Sequence, residues 1–254
     1  DGSLTAAVLE PYLDASGAPT ANRGLSFFGA EEVVEIVDAI TRAGFQTHFH
    51  ALGDRAVREA LDAVEAVARR LGGDAIARLR PILSHIQLVD PADMGRFAAL
   101  GAVASAQPYW AVMDAVQTDL TLPFIGPGRG ALQYPFGDLW RAGARLAGGS
   151  DWPVSTPDPI QGVHTAVNRS LPGPAGAAGR LGPAQALTLA QALTAYTLGS
   201  AFANHREDES GALEVGLAGD LAVLDRDPFA APPESIGQAR VAMTLIDGRV
   251  VHQL

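Results

Sequence analysis

Three side chains able to bind a divalent metal stand at the ends of short apolar runs: His50 in THFHALGD, His85 in LSHIQ and Asp151 in LAGGSDWPV. Two imidazoles and a carboxylate suit zinc or a similar divalent ion without any thiolate. The chain has no cysteine, so disulfides and thiolate sites are excluded, and a metal here must be held by His, Asp or Glu. Taken alone, each residue has an ordinary reading. A histidine in an apolar strand is often a hydrogen-bonded core residue, and an aspartate after Gly-Gly-Ser fits a surface turn. Their spacing argues for a joint reading. His50 and His85 are 35 residues apart and His85 and Asp151 are 66 apart, whereas one strand–helix unit of a parallel barrel takes roughly 30 to 35 residues. The intervals are one unit and two, with a strand ending at Gln107-Pro108 between them. All three groups would then share the rim where the strands end.

Other residues near these strand ends have two readings each. Gln107, Trp110 and Trp152 could line a pocket or simply pack. His48 shares a strand face with His50 by the two-residue period and reads as a packed interior residue. Asp54 reads as a helix cap, and His164 as a residue on the solvated face of a helix. GPGRGAL (126–132) lacks the lysine and the strand-to-helix context of a phosphate loop. No G-x-S-x-G nucleophile elbow occurs.

The elements that would position these groups alternate. AEEVVEIVDAITRA (30–43) carries Val33, Val34, Val37 and Ile40 at helical spacing, with acids in its first turn and Gly44 after its end. A strand is expected at 45–50, then an amphipathic helix at 53–73 with Gly72 as its stop. Strand 81–87 and helix 90–101 follow, the latter with Asp90 at the cap and Pro91 in the first turn. Strand 102–108, helix 136–143 and strand 144–151 complete the series. Strand–helix alternation implies a parallel sheet with helices outside it. After a Gly/Pro/Ala-rich loop at 171–183, read as a linker or lid, comes a helix at 183–203. Strands at 219–225, 239–248 and 249–254 then form a small β element, with Asp247-Gly248 as a hairpin turn.

Bulk properties set the outer limits. The 254 residues are 48% hydrophobic and 18% charged, enough for a sizeable core. The 18 Lys and Arg are scattered and the net charge is -10, which argues against nucleic acid or an anionic membrane as partner. No apolar stretch reaches the roughly 20 residues that span a bilayer. The expected location is the cytoplasm. The opening DGSLTAAVLEPY has neither Met nor a signal-peptide pattern, and reads as the start of a piece of something longer.

The blocks THFHALGDRAV, LSHIQLVDP, ASAQP, GGSDWPVSTPDP and ALTAYTLGSAFA…GALEVGLAGDLAVLD, taken in order, resemble the metal-dependent amidohydrolase superfamily. The similarity is to its branch of YtcJ-like proteins and N-substituted formamide deformylases, and even DGSL is similar to the segment after that branch's fourth barrel strand. The resemblance implies an α/β chain: the C-terminal half of an eight-stranded barrel, strands five to eight, in residues 1–203, and part of a small β-sandwich in 204–254. It implies that His50, His85 and Asp151 bind a divalent metal such as zinc, one or two ions in the full-length protein. Asp151 would also handle the proton during hydrolysis of an amide or formamide C–N bond of a small molecule.

The departures matter as much. The family's first-strand His-x-His pair and fourth-strand lysine are not found, Leu217 replaces a usual lysine, and Tyr109 stands where many relatives have His, altering the substrate pocket. The expectation is a fragment inactive by itself, holding metal weakly or not at all. A lactone or phosphoester hydrolase would use the same site. A non-catalytic half-barrel is a further reading, because unpaired strand edges and an uncovered apolar face favour homo-oligomers.

Overall fold

The structure, a computed structural model, describes residues 4–254, with residues 177 and 178 described by their backbone alone. Residues 1–3, the start of the DGSL block, lie outside the described residues. By internal packing the chain divides into two compact units. One runs to Ala106 and takes in Met113–Leu146; the other comprises Gln107–Val112 and Ala147–Leu254.

In the first unit the strand–helix alternation is present. Helix α1 (Ala30–Arg42) buries Val37 in a cluster with Ala63, Val64 and Val67 of α2 (Asp54–Leu71) and Ile76 of α3 (Gly73–Leu79). Within α2 the buried Val57, Ala60, Val64 and Val67 recur every three or four residues, so helix formation places them on one stripe, and burying that stripe supplies stability that an isolated helix lacks. Helix α3 was not expected, because Gly72-Gly73 reads as a stop. Gly72 does end α2 at φ 95°, but the chain re-enters a helix at once. Helix α4 (Pro91–Leu100) starts as expected, the Asp90 carboxylate accepting the Ala92 N–H at 2.8 Å.

Strands β1 (His48–Ala51), β2 (Ile82–His85), β3 (Val103–Ala106) and β4 (Arg145–Gly148) lie in one sheet in that spatial order. β1 pairs parallel with β2, and β2 parallel with β3. Between β3 and β4 come a π-helical turn at Val116–Thr121, α5 (Leu122–Gly130) and α6 (Phe136–Arg141). β2 and β3 are buried along almost their whole length, whereas β1, the edge strand, leaves His48 and His50 exposed.

Asp54 is not the cap of α2. The cap is Gly53, and Asp54 is the first helical residue, buried, with Oδ1 accepting the N–H groups of Leu9 at 2.8 Å and Arg55 at 3.0 Å. Burial pushes its pKa up, and those two backbone bonds oppose the shift. Gly53 is required because a Cβ there would lie 1.9 Å from the carbonyl oxygen of Ala7, which accepts the N–H groups of Arg55 and Ala56. The segment before α1 thus satisfies the open donors at the start of α2.

The second unit contains α7 (Pro159–Asn168), with Asp158 as its cap, then α8 (Leu189–Thr194), a π-helical turn at Ala195–Gly199 and α9 (Ser200–Ala203). The helix expected at 183–203 therefore starts later, where Thr188 and Gln191 form a reciprocal capping box. The 171–183 loop is tied to the end of α7: Arg169 Nε donates to Leu181 O at 2.7 Å and Arg180 Nε to Asn168 O at 2.6 Å. Strands β5 (Leu221–Leu224), β6 (Val241–Ile246) and β7 (Arg249–Gln253) form an antiparallel sheet in that order. Asp247 at φ 51° and Gly248 at φ 73° form the expected two-residue turn between β6 and β7. Among the described residues no helix is long and apolar enough to cross a membrane.

Candidate functional site

His50 is the third residue of β1 and His85 the last of β2, and their ring centroids are 4.2 Å apart at an interplanar angle of 54°. Register alone would not bring them together. Ser84 lies opposite His50 and His85 opposite Ala51, so a regular strand would send the two imidazoles to different faces. The strand is not regular at that point. His85 has φ 70° and Ile86 φ 43°. The left-handed backbone re-aims the His85 side chain, and it is uncommon for any residue but glycine, most of all for a β-branched one. Such strain persists only where the surroundings over-determine it, and it clusters at functional sites.

His48 is exposed, not packed inside, because its strand is the edge of the sheet. Its Nε2 lies 2.5 Å from the Oγ of Ser84, which is buried. Partial desolvation, with the neighbouring His50 second, holds its pKa below the ordinary imidazole value. A cleft of about 680 Å³ borders His48 and His50 and is walled by Leu25, Phe27, Phe28, Val33, Ile36 and Ile40.

In the second unit, Asp151 follows β4 by three residues with φ 63°, again left-handed. Its Oδ2 accepts the indole N–H of Trp110 at 3.3 Å, and its main-chain oxygen accepts the N–H of Val154 at 2.8 Å. Of the other candidates, Gln107 is buried with its amide beside Gly149. Tyr109 meets the Trp110 ring edge-on at 6.0 Å, and Trp152 is exposed. His164, expected on a solvated face, is buried instead, its Nδ1 accepting the Gly237 N–H at 3.1 Å. Desolvation lowers its pKa, and an Nδ1 facing a donor has no room for a second proton.

Sequence reasoning missed Tyr196 and Ser200, which hold the backbone just before Asp151. Tyr196 Oη donates to Gly149 O at 3.2 Å, and Ser200 Oγ lies 2.9 Å from Gly148 O. The readable signal was the pair Gly148-Gly149, which leaves space against a large side chain.

Whether these residues suit a metal turns on the donor set. His50 and His85 present two adjacent imidazoles, which suit zinc, copper, iron or nickel. Among the described residues, no group of three or more His, Asp or Glu is gathered as a ligand set. The two histidines fit as part of a site.

A parallel α/β sheet whose neighbouring strands end in adjacent imidazoles defines the class: an α/β protein with a pair of histidines, residues of a type able to bind metal, at its strand ends. The chain belongs to the amidohydrolase family, whose model it matches over residues 1–252. It is 31% identical to the protein LONG AFTER FAR-RED 3 of Arabidopsis thaliana, over 99% of this chain and 41% of that one. The putative amidohydrolase YtcJ of Bacillus subtilis is 27% identical over 99% of this chain and 45% of its own length. The N-substituted formamide deformylase of Arthrobacter pascens is 31% identical over 89% and 40%. Among solved structures, a metal-dependent hydrolase of Pyrococcus horikoshii superposes with a TM-score of 0.75 at 29% identity, covering 91% of this chain and 44% of that one. One from Pyrococcus furiosus gives 0.71, also at 29% identity, over 89% and 42%. The chain thus spans less than half the length of these relatives.

Proposed function

We propose that this chain is the C-terminal part of a metal-dependent hydrolase that cleaves amide or formamide C–N bonds of small molecules in the cytoplasm. In this reading β1 to β4 are strands five to eight of an eight-stranded barrel within residues 1–203, and 204–254 belong to a small β-sandwich. The observation that carries it is the His50–His85 pair, 4.2 Å apart on adjacent strand ends and aligned by a left-handed His85. Relatedness to an N-substituted formamide deformylase supports the bond type.

His50, His85 and Asp151 would hold a divalent ion, zinc in this proposal. When bound, such an ion polarises a substrate carbonyl and acidifies water. Asp151 does the proton work: its carboxylate takes the proton of the attacking water at Oδ1, as that water's oxygen bonds the carbonyl carbon, while Trp110 anchors Oδ2, then delivers it to the leaving nitrogen as the C–N bond breaks. Tyr109 and Trp110 form one wall of the substrate pocket, joined in this proposal by Gln107 and Trp152. The 254 residues alone are proposed to be inactive, since the family's first-strand His-x-His pair and fourth-strand lysine are not found in them.

The test is a panel of formamides, amides, lactones and phosphotriesters, assayed on the full-length protein with and without zinc, Asp151→Asn beside it. Zinc-dependent turnover of formamides or amides, lowered at least about 100-fold in Asp151→Asn, is expected. Preference for lactones or phosphotriesters would replace the substrate class. Full activity in Asp151→Asn would overturn the proton role.

A further inference from the structure

We propose that Tyr196 and Ser200 are positioning residues that lock the strand-end turn from which Asp151 projects. The inference rests on the reading of Asp151 given above, but its geometry stands within the second unit alone. A strand that stops leaves main-chain carbonyls without ladder partners, and these must find donors or water. At the end of β4, two consecutive carbonyls are taken up by two hydroxyls from one short stretch of helix. Tyr196 Oη donates to Gly149 O at 3.2 Å, and Ser200 Oγ shares its proton between Gly148 O at 2.9 Å and Ala195 O at 3.0 Å. Tyr196 lies in the π-helical turn Ala195–Gly199 that runs straight into Ser200. Such turns are rare and recur at functional sites.

The ring of Tyr196 is clamped as well as bonded. A Cβ on Gly148 would lie 2.6 Å from its Cδ2, and one on Gly162 of α7 would lie 1.9 Å from its Oη. Both glycines are therefore needed to seat the phenol between β4 and α7. Burial pushes the phenol pKa up, so the hydroxyl remains a donor at any working pH. Two residues further on, Asp151 sits at φ 63°. A left-handed aspartate is strained and holds its place only if its neighbours do. The Tyr196–Ser200 clamp supplies the fixed side of that turn.

Trp110 provides a reporter, because its indole N–H bonds the Asp151 carboxylate. The chain has three tryptophans, so the ¹⁵N–¹H indole resonance of Trp110 can be assigned by Trp110→Phe. The spectra to compare are those of the unmodified chain, Asp151→Ala, Tyr196→Phe and Ser200→Ala. Tyr196→Phe keeps the ring packing and removes only the hydroxyl. The expected result is that Tyr196→Phe and Ser200→Ala each move the Trp110 resonance towards its Asp151→Ala position, with the Trp140 resonance unmoved. A Trp110 resonance that responds to Asp151→Ala but to neither hydroxyl deletion would overturn the proposal. So would one that ignores Asp151→Ala. The readout needs no metal and no turnover, so an Asp151 without a role in hydrolysis would leave this result standing, and the two failures are separable.

Discussion

At the residue scale, side-chain chemistry is legible in the sequence and side-chain aim is not. Type and spacing single out His50, His85 and Asp151, and the structure brings the two histidines ring to ring. What turns His85 towards His50 is a φ of 70° that residue type does not encode. If that conformation is imposed by the fold, glycine should suit the position better than alanine. His85→Gly is expected to be more stable than His85→Ala by about 1 kcal/mol, read from urea midpoints. Equal midpoints would mean that the backbone relaxes out of the left-handed region once the imidazole is gone. His48 and His164 went the other way: the interior residue is exposed and the surface residue is buried. Neighbouring elements decide exposure, and a strand's own pattern does not name them.

At the element scale, periodicity and caps carried most of the reading. α1, α2 and α4 and all seven strands fall within a few residues of their expected places, since apolar spacing and Gly, Pro and Asp signals act locally. Elements without local signals were missed. The π-helical turn before α5 and the re-entry into α3 have no periodic stripe to announce them. The start of α2 depends on Gly53 because a distant segment lies against it. Gly53→Ala is expected to cost about 1 to 3 kcal/mol, as an overpacked contact with rigid backbone does. Gly95→Ala, inside α4 with nothing within 4 Å of its Cβ, is expected to stabilise by about 0.5 to 1 kcal/mol. Thermal melts of both variants check the pair; a harmless Gly53→Ala would show that the Ala7 segment is free to move away.

At the scale of the whole molecule, uncovered apolar surface sets behaviour. Phe27 is 86% exposed, Leu25 56% and Phe28 52%, close to the open edge strand β1. Such patches drive association, and we propose that copies of this chain associate there as a homo-oligomer. Light scattering is expected to find a species larger than a monomer, reduced to monomer by Phe27→Ser with Phe28→Ser. A monomer before substitution would refute the proposed oligomer. The alternation of strand and helix, the parallel sheet and the metal-ligating residue types were determined by the sequence alone, because they depend on short-range periodicity, caps and side-chain chemistry. Which imidazoles meet, which histidine is buried and which hydroxyls hold the turn before Asp151 were decided only by the tertiary structure. Those facts depend on contacts between residues dozens of positions apart, and on backbone strain that only a packed neighbourhood can sustain.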